Sequence, residues 1–538
     1  MLAHARWLAP AFWIALMGQF STAQEAPPAQ AGLPAAQVQA LDRISSDSLR
    51  GHLSFLASDL LEGRGTPSKG LDLAAEYIAA QFRRAGLEAV GDDGYFQTAR
   101  WELAEPDAAS FRMDVFSAPD ATFRVDKDRV SLNRAGAIDL AATGVFKADF
   151  QKPGDIDPDQ VAGKVVLIET PDLRKLDAPS RRSIQMALNA FRAKMTTAKA
   201  AWVVVVSREA EDGTGLGAGR LIDPVNPEAS ERVAAGGGSN ASVVGAITVH
   251  DPRFATLFDT LPPGPSPMTT VALHLGEPVN RPVKLRNVVG LLRGSDPTLS
   301  DTVVMVTAHY DHIGIRGPAS TPDRIYNGAN DDGSGTVSVV ELASALGSLK
   351  PGERPKRSIL FATFFGEEHG LLGSRYYGRH PIVPIDKTVA DLNLEQVGRT
   401  DSSEGPQVDT ASLTGFGFSE VSTTLVKAGE LEGIKVFKHP QNSDAYFGAS
   451  DNQALADLGV PAHTLCVAYQ YADYHGAADH WDKVDYANMA KVDRAVARGL
   501  LTVANDPTEP RWDEANPKAA KYRKAHADRR AKADPAKP

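Results

Sequence analysis

At 538 residues, the chain is too long for one ordinary hydrophobic core, because a domain usually takes about 100 to 200 residues, so we expect two to four domains. Hydrophobic residues make up 43% and charged residues 23%, which describes a globular protein rather than a disordered or membrane-embedded one. The formal net charge of -10 argues against a general nucleic-acid binder, and the single cysteine, Cys466, excludes an internal disulfide and a thiolate metal cluster.

The first 23 residues have the three-part pattern of a secretory signal peptide. Arg6 stands early, an apolar stretch covers residues 8–20, and the small residues Ser21 and Ala23 follow. We therefore expect cleavage after Ala23 and export to the periplasm or the extracellular space. The apolar stretch is too short to span a bilayer, so an uncleaved anchor is the weaker interpretation and no stable membrane anchor is expected.

Helical patterns begin after a Pro/Ala-rich linker at residues 24–36. In LRGHLSFLASDLLEGR, a helical stripe of leucines comprises Leu49, Leu53, Leu56 and Leu60. The next segment, GLDLAAEYIAAQFRRAGLE, predicts an amphipathic helix that ends near Gly86.

Residues 107–280 have a different pattern. Short β-branched runs such as KVVLIE and AWVVVVS are separated by loops and by one predicted helix, RSIQMALNAFRAKMTTAKA. This predicts a compact β-rich module inserted into a larger α/β domain made of residues 37–106 and 281–508.

Strands and helices alternate from about residue 283. The predicted strands DTVVMVTAHYD, RSILFATFF, TVADLNLEQVG and PAHTLCVAY are nearly continuous apolar runs, which is typical of strands buried on both faces. Alternation with helices predicts an α/β fold with a mostly parallel central sheet flanked by helices. Residues 509–538 are basic, rich in alanine and lysine and poor in apolar residues, so we expect a disordered, solvated tail there.

Histidines and carboxylates follow five of the predicted strand ends and loops. They are His309, Asp311 and His312; Asp331 and Asp332; Glu367 and Glu368; Glu395; and Asp473, His475 and Asp479. Because ligand sites in open parallel sheets form beyond the carboxyl ends of the strands, we expect these side chains to lie close together. Imidazoles and carboxylates without thiolates suit Zn²⁺, with Mn²⁺ and Co²⁺ as alternatives, and a carboxylate-rich set suits two ions bridged by one carboxylate.

Five motifs in this order, AHYDHIG, NGANDDGSGT, FFGEEHGLLGS, LNLEQVGR and DYHGAADHWDKVDY, resemble the M28 family of co-catalytic zinc aminopeptidases. The resemblance covers about residues 40–506, and the module at residues 107–280 resembles the protease-associated (PA) domain that is often inserted there. The resemblance implies a zinc-peptidase, phosphorylase/hydrolase-like fold with two Zn²⁺ per chain. It also implies an enzyme that removes the N-terminal residue from peptides with a free N-terminus.

The resemblance implies a role for each matching residue. His309 would bind the first zinc, Asp331 would bridge both ions, Glu368 and His475 would bind the second zinc, and Glu367 would be the general base. Glu395 falls at the remaining ligand position of the first zinc, where many family members have aspartate. This departure by one methylene group puts the metal spacing or the preferred metal in question.

Two further side chains are expected beside these ligands. Asp311 lies two residues after His309, and on an extended chain both point to the same side, so Asp311 can accept the second imidazole N–H. Tyr474 matches a position where some family members use a tyrosine hydroxyl to stabilise the oxyanion, and a packing role is equally open. The family also implies a cis peptide bond at Asp331–Asp332.

Three alternatives stay open. The first is another exopeptidase specificity, that of a carboxypeptidase or dipeptidase; the second is a glutaminyl cyclase-like transferase with one zinc. The third is a receptor-like protein that kept the fold and lost catalysis. The presence of both His309 and Asp331 favours two metals over one, and a ligand-capable residue at every position favours an enzyme.

Overall fold

The computed structural model describes residues 32–533, apart from residues 119–120, 133–135, 172–175, 177, 209–214, 218, 231–243 and 318–320. The predicted signal peptide and residues 24–31 of the predicted linker lie outside the described residues. Most of the described strands belong to two large sheets, one of nine strands and one of eight.

The strands, in chain order, are β1 Phe96–Glu105, β2 Arg112–Ser117, β3 Ala121–Val125, β4 Val130–Ser131, β5 Ile138–Lys147, β6 Val165–Glu169, β7 Trp202–Val206, β8 Arg220–Ile222, β9 Ala246–Val249, β10 Gly264–Leu275, β11 Val279–Leu292, β12 Val303–His309, β13 Gly314–Ile315, β14 Ile325–Tyr326, β15 Ser358–Phe364, β16 Thr388–Leu394, β17 Asp401–Ser402, β18 Gly405–Pro406, β19 Thr410–Leu413, β20 Lys435–Phe437 and β21 Ala462–Cys466. The helices are α1 Ala35–Leu41, α2 Ser46–Leu56, α3 Lys69–Arg84, α4 Pro158–Val161, α5 Ala178–Thr197, α6 Pro252–Thr260, α7 Gly335–Gly347, α8 Leu372–Arg379, α9 Val421–Glu432, α10 Asn442–Ala445, α11 Asn452–Ala456, α12 Tyr486–Asn505 and α13 Ala520–Ala533.

The nine-stranded central sheet has the order β20-β19-β21-β16-β12-β15-β11-β1-β8. Its four middle strands, β21, β16, β12 and β15, are mutually parallel, whereas β11, β1 and β8 pair antiparallel on one side and β19 pairs antiparallel with β21. The predicted α/β fold is therefore confirmed, with a sheet that is parallel in the middle and mixed at its sides. The antiparallel strands β1 and β11 are connected by a long segment of the chain that forms the second sheet.

Every residue of β12, β15 and β16 is buried. On one face of the sheet, side chains such as Val306 and Phe361 share a core with residues of α2, α3, α7 and α12. On the other face, Met305 and Leu360 share a core with residues of α8, α11 and α13. Runs without polar alternation form strands here because both faces of the sheet are covered by helices.

The eight-stranded sheet has the order β3-β2-β10-β5-β6-β7-β9-β4 and lies between β1 and β11 in the chain. The chain leaves the central sheet at Glu105 and returns at Val279, and these two residues pair with each other. Such adjacent ends allow a large segment to be inserted without separating the strands on either side. From within this segment, β8 returns to pair with β1 at the edge of the central sheet.

The leucine stripe predicted near the N-terminus holds only as far as Leu56, where α2 ends. Leu60 is 77% exposed and Leu61 takes the buried position instead, because the chain turns after α2. Glu62 and Arg64 in this turn have positive φ angles. Gly86, at φ +72°, follows the end of α3 as predicted.

The prediction of a disordered tail from residue 509 is wrong for residues 509–533. They include α13, and Trp512 and Tyr522 are buried and stacked, with ring centroids 5.0 Å apart. Tyr522 also meets Phe447 edge-on, and Arg529 donates to the Ile385 carbonyl oxygen over 2.6 Å. The prediction rested on the basic, apolar-poor composition of the whole segment and did not take account of these two aromatic residues. The predicted linker is also too long, because α1 begins at Ala35.

Among the helices of the described residues, we find none with both the length and the apolar character needed to cross a membrane.

Candidate metal centre

The carboxyl ends of the parallel strands bring the predicted residues together. His309 ends β12 and is in register with Phe364, the last residue of β15. Glu367 lies three residues beyond β15, and Glu395 directly follows the end of β16. His475 comes from the loop after β21, the neighbour of β16. Parallel pairing thus places side chains from distant parts of the sequence at one edge of the sheet.

Asp331 occupies the middle of this group. Its Oδ1 lies 3.4 Å from His309 Nε2, and its Oδ2 lies 3.0 Å from His475 Nε2. Each carboxylate oxygen therefore faces a different histidine, which is the arrangement that a bridging carboxylate requires.

Two clusters of ligand-capable side chains share Asp331. In the first cluster, ligand atoms of His309, Asp331 and Glu395 all lie within 4.8 Å of one another. The second cluster comprises Asp331, Glu368 and His475, with Glu368 Oε2 3.6 Å from His475 Nε2. A ring nitrogen of His312 also lies within 4.8 Å of carboxylate oxygens of Asp331 and Glu368. The His309 side chain is 0% exposed and that of His475 is 40% exposed, so the first cluster is deeper than the second.

The protonation of His309 follows from its neighbours. Its Nδ1 lies 3.2 Å from the backbone carbonyl oxygen of Asp311, which can only accept a hydrogen bond. Nδ1 therefore carries a proton, and Nε2 faces Asp331 and Glu367. Burial acts to lower the pKa of His309, but the neighbouring carboxylates, Glu367 foremost, outweigh it and raise that pKa well above its ordinary value. The carboxylate of Asp311, predicted to accept this N–H, is 3.6 Å from Nδ1, so the hydrogen bond goes to the carbonyl and the carboxylate contributes charge.

The Asp311 carboxylate contacts two other groups. It accepts a hydrogen bond from Thr66 Oγ1 over 3.1 Å and one from the backbone N–H of Glu367 over 3.1 Å. Asp311 thereby connects the loop after β12 to the loop that carries both glutamates.

Glu367 and Glu368 are neighbours in sequence but face different groups. Glu367 Oε2 lies 3.9 Å from His309 Nε2, whereas Glu368 Oε2 faces His475. Burial raises the pKa of Glu367 well above its ordinary value; His309 opposes this, and Glu395 and Glu368 add to it. The Glu367 carboxylate is therefore suited to accept a proton.

The other carboxylates show the same competition between burial and positive charge. Burial raises the pKa of Glu395 to about 7, although His309 opposes it. Burial also acts to raise the pKa of Asp331, but contacts with His309 and His475 outweigh it and hold that pKa below its usual range. Asp331 is thus the carboxylate most firmly held in its charged form.

The peptide bond between Asp331 and Asp332 is cis, as predicted. The Asp332 carboxylate takes a structural role: it accepts from the backbone N–H of Gly335 at the start of α7, and from those of Gln396 and His309, over 3.0, 3.1 and 3.3 Å. Of these two neighbouring aspartates, Asp331 therefore faces the histidines of the candidate centre, and Asp332 holds the backbone around it.

His475 has φ +51°, in the left-handed region that non-glycine residues seldom adopt. The Tyr474 ring is stacked on the His475 ring with centroids 4.1 Å apart, and Tyr474 lines the same cavity as the two glutamates. Burial raises the pKa of the Tyr474 hydroxyl, which keeps it protonated and able to donate a hydrogen bond.

Two supporting side chains have no role assigned from the sequence, although Asp479 was among the acids expected at this edge of the sheet. Asp479 accepts from the backbone N–H groups of Asn330 and Asp331 over 3.0 and 3.3 Å, and its position after a predicted strand was the signal for it. Arg64 is 1% exposed and donates to four carbonyl oxygens, those of Leu56, Tyr310, Asn327 and Gly328. No motif marked Arg64, because its contacts depend on the turn after α2.

The donor set fits a divalent cation. Within the described part of the chain, the buried atoms at the centre that have no aligned hydrogen-bond partner include His309 Nε2, Glu395 Oε2, Glu368 Oε1 and both ring nitrogens of His312. Buried polar atoms are rarely left without a partner, and imidazole nitrogen with carboxylate oxygen is a donor combination that zinc prefers.

A cavity of about 480 Å³ opens onto this centre. Its lining includes the carboxylates of Asp331, Glu367, Glu368 and Glu395, together with a wall of other residues that includes Tyr446, Tyr469, Tyr474, Thr414 and Cys466. All of its described lining residues fall between Asp331 and His475 in the chain, so they come from the domain that carries the metal centre.

Residues 287–500 match peptidase family M28, and this range contains β12, β15, β16, β21 and all of the clustered side chains. The chain contains an M28 peptidase domain.

Sequence relatives of this M28 domain are moderately similar. A probable zinc metalloprotease of Leptosphaeria maculans is 34% identical over 201 residues, which cover 37% of this chain and 44% of that protein. Leucine aminopeptidase 2 of Arthroderma otae is 26% identical over 258 residues, which cover 42% of this chain and 47% of that protein. The chain thus spans less than half the length of these curated relatives.

Solved structures share the fold over most of the chain. An aminopeptidase from Aneurinibacillus sp. strain AM-1 superposes with a TM-score of 0.53 at 18% identity, covering 89% of this chain and 98% of that one. A zinc aminopeptidase from Bacillus subtilis gives a TM-score of 0.54 at 18% identity, covering 85% and 94%. At this identity, the likeness shows a common fold.

Proposed function

We propose that the protein is a metallopeptidase that uses two Zn²⁺ to hydrolyse the N-terminal residue from peptides. The observation that carries this proposal is the placement of Asp331, whose two carboxylate oxygens face His309 and His475 separately. The fold shared with aminopeptidases and the relatives named as a zinc metalloprotease and a leucine aminopeptidase support it.

The two clusters would each hold one zinc. His309, Glu395 and Asp331 would hold the first. Glu368, His475 and Asp331 would hold the second. When bound, a pair of zinc ions lowers the pKa of a shared water towards neutrality and polarises the carbonyl of the substrate.

Glu367 is the group of this chain that moves the proton. We assign its Oε2 to take a proton from the attacking water and to return one to the leaving amine. A pKa raised by burial suits this role, because a carboxylate of ordinary pKa is a weak base at neutral pH. The Tyr474 hydroxyl, kept protonated by burial, would donate to the oxyanion.

The general-base role is tested by comparing Glu367→Gln with Glu368→Gln. Glu367→Gln should keep both zinc ions and lower kcat by about 10²- to 10⁴-fold, the usual contribution of a general base. Glu368→Gln should instead lower the zinc content. Glu430→Gln, on the exposed side of α9, is the control. Near-normal turnover in Glu367→Gln would remove Glu367 from this role.

The wall of the cavity indicates the preferred substrate. Tyr446 and Tyr469 are stacked with centroids 5.3 Å apart and lie beside Thr414 and Cys466. We propose that this wall receives an apolar or aromatic N-terminal side chain. In a set of matched peptides that begin with leucine, phenylalanine, aspartate or lysine, those that begin with leucine or phenylalanine should be cleaved fastest.

The same substrates separate the aminopeptidase from a carboxypeptidase or dipeptidase. N-acetylation should abolish cleavage and C-terminal amidation should leave it unchanged. The opposite pattern would replace the aminopeptidase with a carboxypeptidase, and counting zinc ions per chain separates both from a one-zinc transferase.

Two further parts of this proposal concern the rest of the chain. We propose that the eight-stranded sheet is a PA-like domain, because it is inserted between paired strands of the peptidase domain. We also propose that residues 1–23 direct export to the periplasm or the extracellular space. Sequencing of the exported protein from its N-terminus should then begin at Gln24.

A further inference from the structure

His312 is a buried histidine of the AHYDHIG motif to which no role was assigned above, although its ring lies within 4.8 Å of ligand oxygens of Asp331 and Glu368. It is 0% exposed, and its backbone N–H donates to the Arg64 carbonyl oxygen over 3.2 Å. Its ring packs so closely on Gly328 that a Cβ there would lie 2.4 Å from the ring. The backbone of Gly328 therefore blocks the imidazole on that side.

The nearest charged atom to this ring is Glu368 Oε1, which lies 2.7 Å from His312 Nδ1. Neither ring nitrogen has an aligned hydrogen bond within the described residues, and Glu368 Oε1 also has none. Two lone pairs at this distance repel each other, so a proton or a cation must lie between them.

The distance favours the proton. Two atoms bound to one tetrahedral zinc, with bonds of about 2.0 to 2.1 Å, lie about 3.3 Å apart. A charge-assisted N–H···O hydrogen bond, by contrast, has a length of about 2.7 to 2.9 Å. The observed contact has the length of a hydrogen bond, although the N–H direction and the carboxylate oxygen are not aligned for one in this structure.

The two oxygens of Glu368 also face different partners. Oε1 faces His312, whereas Oε2 faces His475, 3.6 Å away, in the second cluster. A carboxylate held through one oxygen presents the other in a defined direction, as outer partners do for metal ligands in proteins.

We propose that His312 is a positioning residue: it donates its Nδ1–H to Glu368 Oε1 and leaves Oε2 as the single oxygen that binds the second metal ion. This inference rests on the proposed two-metal centre. It predicts that the affinity for the second zinc depends on a donor at the position of Nδ1, and that the first zinc is insensitive to it.

Three variants test the proposal: His312→Asn, His312→Gln and His312→Leu. The amide nitrogen of asparagine can lie near the position of Nδ1, and that of glutamine near the position of Nε2. The Leu and Gln variants should bind the second zinc about 10- to 100-fold more weakly, the usual effect of losing an outer partner. The Asn variant should recover most of this affinity, and all three should retain the first zinc.

The readout is zinc content per chain and zinc affinity in competition with a chelator, after thermal unfolding has shown that each variant is folded. His52→Leu is the matched control, because His52 is also a buried imidazole but hydrogen-bonds to Tyr77, outside both clusters. It should bind both ions like the unmodified protein.

Wild-type affinity for both ions in a folded Leu variant would overturn the proposal. The proposal would also be overturned if the Asn variant bound the second zinc as weakly as the Gln variant. This comparison tests the proposal even if the Leu variant does not fold. A changed visible spectrum of the Co²⁺-loaded Asn variant would show direct ligation by His312, which also overturns it. Failure of the proposed function is a separate result: the unmodified protein would then hold fewer than two zinc ions, or Glu367→Gln would stay active.

Discussion

Two of the regions in which this protein buries carboxylates have opposite surroundings. At the metal centre, Glu395 has its pKa raised to about 7 by burial. At the interface of α7 and α12, burial raises the pKa of Asp493 to about 8, and the nearby Glu341 adds to it. Both side chains are removed from water, so the desolvation cost acts on both.

The two regions differ in what faces the oxygens. At the metal centre two histidines face Asp331 and hold its pKa low in spite of burial. Neither oxygen of Asp493 has a well-aligned hydrogen-bond partner among the described residues, and the nearby Ser338 hydroxyl and Arg494 offset only part of the effect of burial. Burial alone makes an acid keep its proton, whereas burial beside converging imidazoles makes it a ligand for a cation.

The largest expected effect is that of metal removal. Chelation would leave Asp331, Glu367, Glu368 and Glu395 buried together without their cation, and would remove a ligand that binds only the folded state. The loss in free energy of unfolding should be about 4 kcal/mol if zinc had been present at about a thousand times its Kd.

Urea unfolding with and without a chelator measures this loss, and added zinc should reverse it. Asp493→Asn is the matched variant, because it should lose the same amount on chelation if the two regions are independent. Coinciding unfolding curves with and without the chelator would contradict a metal-dependent centre.

A smaller effect is expected at Asp493 itself. Its folded pKa of about 8 lies above its unfolded value, so between about pH 4 and pH 8 the folded state binds a proton that the unfolded state has released. The free energy of unfolding should therefore fall as pH rises through this range. Asp493→Asn cannot ionise, so its pH dependence should be flatter, and at pH 8 it should be more stable by about 1–3 kcal/mol.

Urea unfolding of the zinc-loaded protein at a series of pH values measures this difference. Asp482→Asn, at an exposed position, should follow the unmodified protein at every pH. Parallel pH profiles for Asp493→Asn and the unmodified protein would show that Asp493 is charged in the folded state.

The sequence predicted the parallel middle of the sheet and the convergence of the polar residues at its edge. Both depend on features that a sequence displays directly, namely unbroken apolar runs such as the one that ends at His309 and the order of strands and helices. Glu395 was predicted to lie at the first cluster in spite of its extra methylene group, and the structure places it there.

Other features depend on backbone geometry that no pattern displays. The partner of His309 Nδ1 is a carbonyl oxygen rather than the expected carboxylate, and Arg64 reaches four carbonyl oxygens only because the chain turns after α2. The tail from residue 509 was misjudged because two aromatic anchors, Trp512 and Tyr522, outweigh a composition that is otherwise polar.

The smallest expected effect tests how far the support of the metal centre extends. Thr66 Oγ1 donates to Asp311 Oδ2, while Asp311 Oδ1 lies near His309 Nδ1 and accepts from the backbone N–H of Glu367. Thr66→Val keeps the shape and removes this single bond, so zinc affinity should fall about three- to tenfold, close to 1 kcal/mol. Thr66→Ser keeps the hydroxyl and should retain the affinity, as measured by chelator competition. Because Asp493 has no contact with this network, the pH dependence of unfolding should be the same in both Thr66 variants; a change in it would mean that the two buried acid regions are coupled.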